Sequence, residues 1–162
     1  MISKVISGGQ TGADQAGLRA AKKQGIPTGG YMPWGFLTEE GYCPQLAEEF
    51  GMVAINAHTY PPRTYANLTE LCDYLVWFGD VKTPGGKLTI KIARQLDKPY
   101  IIIPNSTSVT PSDFLIQFED REIQSMSTLM VAGNRESTHP GIGKWVEEFL
   151  YNVFTCMKVC DG

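Results

Sequence analysis

Lys4-Val5-Ile6-Ser7-Gly8-Gly9-Gln10-Thr11-Gly12-Ala13-Asp14 runs from a short apolar strand into glycines and then into a helix start, and its reading decides the fold. Gly8 and Gly9 tolerate φ > 0 and let another group approach main-chain N–H groups without meeting a Cβ. Thr11 is placed to cap the following helix, with Asp14 three residues on in capping-box position. The free amides and the positive dipole end would then face the loop, a geometry that suits an anion such as phosphate. A dinucleotide G-x-G-x-x-G would need glycine where Ser7 stands, and no G-K-[ST] follows, so neither cofactor class is indicated. Two readings remain open for this loop alone: a phosphate turn, or a tight strand-to-helix turn whose glycines serve sterics. The other loops must decide.

The 162 residues suffice for one domain, 1–162, that buries about two-thirds of its unfolded surface. Apolar residues make up 43% and charged residues 19%, the composition of an ordinary globular protein. A formal net charge of −3 argues against a nucleic-acid or anionic-membrane partner, so any anion must be bound locally. No apolar run approaches the roughly 18 residues of a membrane span or carries signal-peptide flanks, and a cytoplasmic location is expected. Cys43, Cys72, Cys156 and Cys160 lack C-x-x-C spacing and read as free thiols. Cys156 and Cys160 share a helix face yet supply only half of a tetrahedral site, and His58 and His139 stand alone, so no metal is expected.

Beyond the first loop, residues 13–24 read as a helix whose Ala13, Ala16, Gly17, Ala20 and Ala21 allow close approach to a sheet; Gly25 and Pro27 stop it. Thr28 to Met32 is a second strand, followed by a turn-rich loop over the sheet edge containing Glu39-Glu40-Gly41. Residues 44–50 suit a short helix and Met52 to Asn56 an extended piece. In Tyr60-Pro61-Pro62-Arg63-Thr64-Tyr65-Ala66-Asn67 the prolines fix an extended entry and the next residues open a helix through about Cys72. Arg63 either shares a helix face with Asn67 or stands just before the helix, pointing at an anion site; the alternative is a solvated arginine. Tyr74-Leu75-Val76-Trp77-Phe78 is the apolar run of a central parallel strand covered on both faces. A second glycine loop, Thr83-Pro84-Gly85-Gly86-Lys87-Leu88-Thr89, leads into a helix with Leu88, Ile92 and Leu96 on one stripe. Tyr100 to Ile103 is another strand, Asn105 to Pro111 a polar loop, and Ser112 caps a helix through about Gln124. Thr128 to Ala132 is the last strand. Gly133-Asn134-Arg135-Glu136-Ser137 follows, then Pro140 and a final helix carrying Ile142, Trp145, Val146, Phe149, Leu150 and Val153.

Strands alternating with helices define an α/β, Rossmann-like, doubly wound and mainly parallel sheet with helices on both faces. Right-handed crossovers place the loops after the strands along one edge, where Gly8-Gly9, Gly85-Gly86 and Asn134-Arg135 should meet near the switch point. That convergence turns the balance toward a ligand site.

Four stretches then carry a family likeness: Ser7-Gly8-Gly9-Gln10-Thr11-Gly12-Ala13-Asp14; Arg63-Thr64 with Asn67; Gly85-Gly86 with Thr89; and Val131-Ala132-Gly133-Asn134-Arg135-Glu136-Ser137. Together they resemble the molybdenum-cofactor carrier proteins, within a wider group of Rossmann-like ligand binders that includes the lonely-guy phosphoribohydrolases. The likeness spans nearly the whole chain. It implies binding, protection and delivery of molybdenum cofactor, a pterin bearing one phosphate (molybdopterin), by a homo-oligomer with molybdoenzymes as recipients. It also implies that Gly8, Gly9, Gln10, Thr11, Gly12, Asp14, Arg63, Thr64, Asn67, Gly85, Gly86, Thr89, Asn134, Arg135, Glu136 and Ser137 line the site. Two departures stand out: Asn134 replaces the proline of Ala-Gly-Pro-Arg-Glu-Ser, and Glu39-Glu40-Gly41 only approximates the family's Glu-Asp-Gly.

The related hydrolases carry P-G-G-x-G-T-x-x-E. Here Pro84, Gly85, Gly86 and Thr89 fit, but Leu88 replaces glycine and Ile92 replaces the glutamate. Ile92 can neither donate nor accept a proton, so hydrolysis by that route lacks an acid/base group typically worth two to four orders of magnitude in rate. The expectation is a carrier without a catalytic residue, in which amides of Gly8 to Gly12 and Gly85-Gly86 hold phosphate and Arg63 or Arg135 neutralises it. Glu136 either orients an arginine or points to solvent. The alternatives are a nucleoside-monophosphate hydrolase, with Asp14, Glu40 or Glu136 replacing the missing acid, and a nucleotide sensor.

Overall fold

The computed structural model describes residues 1–105, 108–118 and 125–160. Six strands form one sheet: β1 (Lys4–Ile6), β2 (Thr28–Met32), β5 (Met52–Ala54), β6 (Tyr74–Phe78), β7 (Tyr100–Ile103) and β8 (Thr128–Gly133). Their order is β5-β2-β1-β8-β6-β7, and every neighbouring pair is parallel. The doubly wound α/β expectation is met. From β1 the chain steps outward through β2 to β5, then crosses over to β6 and β7 and returns to insert β8 between β1 and β6. The direction reverses there, so the carboxyl ends of β1, β8 and β6 frame the switch point.

Alternation along the strands builds two cores. Val5, Tyr74, Val76, Phe78, Leu129 and Val131 face one layer, with α1 (Ala13–Lys23), α5 (Pro111–Phe118) and α6 (Ile142–Cys160) packed over them. Ile6, Leu75, Trp77, Met130 and Ala132 face the other, under Leu68 and the Ile90, Ile92 and Ala93 of α4 (Pro84–Gln95). All five residues of β6 are buried, as a central parallel strand requires. The small residues of α1 do bring it close to the sheet: a Cβ on Gly17 would lie 2.6 Å from Val131. At the β5 edge, α2 (Gln45–Phe50) sets Leu46 and Phe50 against Leu18, Met32 and Met52.

Several local expectations change. Gly12, with φ 77 and ψ −126, is the N-cap of α1, and Thr11 caps nothing. Pro61 and Pro62 stand inside the first turn of α3 (Tyr60–Ala66) rather than before it, because missing N–H groups cost nothing there. The helix then widens into a π-helical turn, Asn67–Leu71. Pro84, Gly85 and Gly86 likewise form the first turn of α4, not a loop, with Thr83 as N-cap accepting from the Gly86 amide at 3.2 Å. The stretch after β2 is not featureless either: β3 (Leu37–Thr38) and β4 (Gly41–Tyr42) make an antiparallel hairpin with Glu39-Glu40 at its tip. The part of the Ser112–Gln124 helix beyond Phe118 lies outside the described residues, as do Ser106 and Thr107 of the polar loop.

Candidate ligand site at the switch point

At the carboxyl ends of β1, β6 and β8, on the face covered by α3 and α4, lies a cavity of about 610 Å3. Gln10 and Asp14 reach it from the first loop, Tyr60, Pro61, Arg63 and Thr64 from α3, and Trp77 from β6. Thr83, Pro84, Gly85, Leu88 and Thr89 come from the start of α4, and Ala132, Gly133, Asn134, Arg135, Ser137 and Thr138 from the end of β8. Of the predicted loops, Gln10, Asp14, Gly85, Asn134 and Arg135 meet at this cavity while Gly8, Gly9, Gly12 and Gly86 do not line it, and the volume falls within the range of small-molecule sites, about 300–1,000 Å3.

The glycines of the first loop work differently from the phosphate-cradle reading. A Cβ at Gly8 would sit 2.1 Å from Arg63 Nη1, so this glycine makes room for a guanidinium of the same chain. At Gly9 the obstacle would be Met32, and at Gly12 the backbone of Asn134 through Glu136. The amides are also taken. Gly9 N donates to Ser7 Oγ at 3.1 Å, Gln10 N to Asp14 Oδ2 at 3.2 Å, Thr11 N to Gln10 Oε1 at 3.0 Å and Ala13 N to the Asn134 carbonyl at 3.2 Å. Asp14 thus holds the anion position at the start of α1. Its burial pushes the carboxyl up to about 6, against the opposing pull of Arg63, whose Nη2 is 3.9 Å from Oδ2. Burial also lowers the pKa of Arg63.

The cavity wall carries donors lacking acceptors. Gln10 Nε2, Arg63 Nε and Trp77 Nε1 are buried N–H groups with no hydrogen-bond partner among the described residues, and all three residues line this cavity. Gln10 is 5% and Trp77 4% exposed. A buried donor without a partner costs about 1–3 kcal/mol, so a wall holding three of them is poised for acceptor atoms from outside. Arg135 stands further out, its side chain 40% exposed, with its guanidinium over one side of the Tyr60 ring at 5.3 Å and that of Arg63 at 5.7 Å.

Other predicted residues support the site without lining it. Asn67 is fully buried; its Oδ1 accepts from Tyr31 N at 2.8 Å and its Nδ2 donates to the Tyr31 carbonyl at 3.0 Å, fastening α3 to β2. Glu136 neither orients an arginine nor faces open solvent: it accepts from Gly141 N at 2.6 Å and Gly143 N at 3.0 Å, capping the start of α6. Gly86 is used by Thr83, and its Cβ position is blocked by the Val81 backbone. Asn134, by contrast, both lines the cavity and bonds Asp80 both ways, accepting from its amide at 2.7 Å and donating to its carbonyl at 2.9 Å. Ile92 is buried in the core beneath α4, away from the cavity.

Two contributors were missing from the sequence reading. Trp77 looked like core, although an indole near the carboxyl end of a central strand brings a polar N–H to the edge where ligands bind. Glu39 looked like loop. It accepts from Thr11 Oγ1, from Ser137 N at 3.1 Å and from Ser137 Oγ, and stands 3.9 Å from Arg135 Nε. Burial raises its pKa, but the hydrogen bonds from Ser137 and Thr11 outweigh that and hold it below the usual carboxylate range.

A second cleft, about 620 Å3, runs between α1 and α6 past Arg19, Lys23, Lys144, Glu147 and Tyr151. Its Arg19 and Lys23 are both paired with Glu147, at 2.7 and 2.5 Å, and none of the unpartnered buried donors belongs to it. Among the described residues no group of three or more His, Cys, Asp or Glu could hold a metal ion, and no helix is long and apolar enough to cross a membrane.

A parallel sheet with its cavity at the topological reversal and an arginine at the rim describes a Rossmann-like ligand binder. The chain belongs to the circularly permuted YpsA SLOG family, whose model matches residues 5–154. It is similar to the crystal structure of a protein from Syntrophus aciditrophicus SB named "putative molybdenum carrier protein", with 32% identity, 94% of each chain covered and a TM-score of 0.81. Among curated proteins the comparison gives no match.

Proposed function

We propose that this protein binds a small ring compound bearing a phosphate, with molybdenum cofactor as the leading ligand, and carries it toward molybdoenzymes without transforming it. The observation that carries the reading is the cavity wall itself: Gln10, Arg63 and Trp77 with unpartnered N–H groups, and Arg135 at the rim. The name of the Syntrophus relative supports the choice of ligand. Asp14 would repel phosphate from the start of α1, so the phosphate belongs at the outer side, near Arg135, Ser137 and the first turn of α4. There the Gly85 amide precedes any intrahelical acceptor and the dipole favours an anion. Mass spectrometry of the compound retained through gentle purification, with a metal assay, tests the ligand. Arg135→Ala should weaken phosphorylated-pterin binding about 10- to 100-fold, the worth of one charge-assisted hydrogen bond, with little loss of folding. Unchanged affinity would remove Arg135 from the site.

Hydrolysis of a nucleoside monophosphate is the second reading, and Asp14 favours it. Of the three acids that might replace the glutamate lost at Ile92, only Asp14 lines the cavity, and its carboxyl is raised toward neutral pH. Release of free base from a nucleotide panel separates the two readings, because a carrier yields none above background.

A further inference from the structure

The inner end of the cavity has a donor and acceptor pattern of its own, which assigns the ligand's ring edge on top of the phosphate reading above. Asp14 is 4% exposed and contributes a carboxylate, an acceptor-only group with about four lone-pair positions, of which the backbone amides of Gln10 and Gly8 and the Arg63 guanidinium use part. In the same cavity, Gln10 Nε2 and Trp77 Nε1 are buried donors with no acceptor among the described residues. One buried acceptor and two buried donors lining one cavity match a ring edge that presents the reverse: a carbonyl followed by two N–H donors. A ring edge with a 2-amino group, a ring N–H and a 4-oxo group has that order, and it is common to pterin and, in its own numbering, guanine. Adenine offers an amino group where the Gln10 and Trp77 donors need an acceptor. A 2-oxo ring places a carbonyl against the Asp14 carboxylate.

We infer that Asp14 reads the 2-amino and ring N–H donors of such a ring while Gln10 and Trp77 donate to its carbonyl, with the phosphate turned outward to Arg135. The orientation follows from charge. Asp14 already faces Arg63 in the buried part and disfavours a second anion there, whereas Arg135 is 40% exposed at the rim, so an anionic ligand enters ring first.

Two probe sets test this by calorimetry on the intact protein: pterin against lumazine, its 2-oxo counterpart, and GMP against IMP and AMP. Ribose 5-phosphate serves as the ringless control. Pterin should exceed lumazine, or GMP exceed IMP, by roughly 10- to 100-fold, the value of one charge-assisted hydrogen bond. Which pair shows the preference identifies the pterin or the nucleotide as the source of the ring. Asp14→Asn should collapse that ratio toward one. Trp77→Phe should leave the 2-amino preference intact while weakening the 6-oxo purines relative to AMP, and it provides an arm independent of any folding defect in the Asp14 variant. Equal affinity for pterin and lumazine and for GMP and IMP, with ribose 5-phosphate bound as tightly and lost in Arg135→Ala, would overturn the ring assignment and leave the phosphate site standing. Binding of none of these probes would overturn both.

Discussion

Two alanine substitutions four residues apart should have opposite consequences. Gly12 occupies φ 77, ψ −126, and a Cβ there would meet the Asn134 carbonyl oxygen at 2.5 Å and the Glu136 amide nitrogen at 2.7 Å. Both obstacles are backbone and cannot swing aside. A φ of 77 with ψ −126 is a region open essentially to glycine, and holding an L-residue there costs about 1–3 kcal/mol. Parting the loops endangers the Ala13 N to Asn134 O and Glu136 N to Thr11 Oγ1 bonds, each worth about 0.5–1.5 kcal/mol. Gly12→Ala should therefore lose about 2–6 kcal/mol, or roughly 4–24 °C of melting temperature for a chain of this size. Gly8 is obstructed only by the end of a flexible side chain, Arg63 Nη1 at 2.1 Å, Cζ at 2.3 Å and Nε at 2.8 Å. Gly8→Ala should fold and displace that guanidinium, removing from Asp14 the largest influence that lowers its carboxyl. Thermal melts read the first effect, and a carbon-13 NMR titration of Asp14 reads the second as a midpoint moved above about 6. A Gly8→Ala protein melting as low as Gly12→Ala, or titrating Asp14 like the native chain, would refute the claim that Gly8 exists to seat Arg63.

Asn134→Pro removes the amide donating to the Phe78 carbonyl at 3.0 Å and both bonds to Asp80; it should destabilise the fold by about 1–4 kcal/mol, seen as a lowered urea midpoint. Glu136→Ala strips two acceptors from the start of α6 and should cost about 1–2 kcal/mol while leaving ligand affinity within twofold, which melts and calorimetry together check. For Asp14 the folded pKa of about 6 lies above the ordinary 3.8, so the native state holds its proton more tightly. That contribution favours folding below about pH 4 and is lost as pH rises to about 6, a change of up to about 3 kcal/mol. It should appear in denaturation at stepped pH as the difference between the native chain and Asp14→Asn. A difference that stays flat over that window counts against the burial of Asp14.

The fold was readable because the strands of this sheet are short and strongly apolar, each closed by glycine or a polar turn, so that period and punctuation agreed along most of the chain. β6 and α6 needed little else. What escaped the sequence was which group each glycine makes room for. Gly8 and Gly9 carry the spacing of an anion loop, yet their neighbours in space are Arg63 and Met32, brought there by α3 and β2. The same distance along the chain hid Glu39, which only the β3–β4 hairpin brings against Thr11 and Ser137. Gly85-Gly86 misled for a local reason: proline followed by glycines reads as a loop, but proline is also at home in a first helical turn, and the Thr83 cap decided between them. These displacements point one way. The protein fills its first anion position with its own carboxylate, held by amides and an arginine that a phosphate would otherwise use. What the cavity has left without acceptors among the described residues is the N–H groups of Gln10, Trp77 and Arg63, while Arg135 stands half-exposed at the rim beside Glu39. If the proposed phosphorylated ligand is the right one, its selectivity lies in the ring, because the phosphate contacts proposed at the rim are few and exposed.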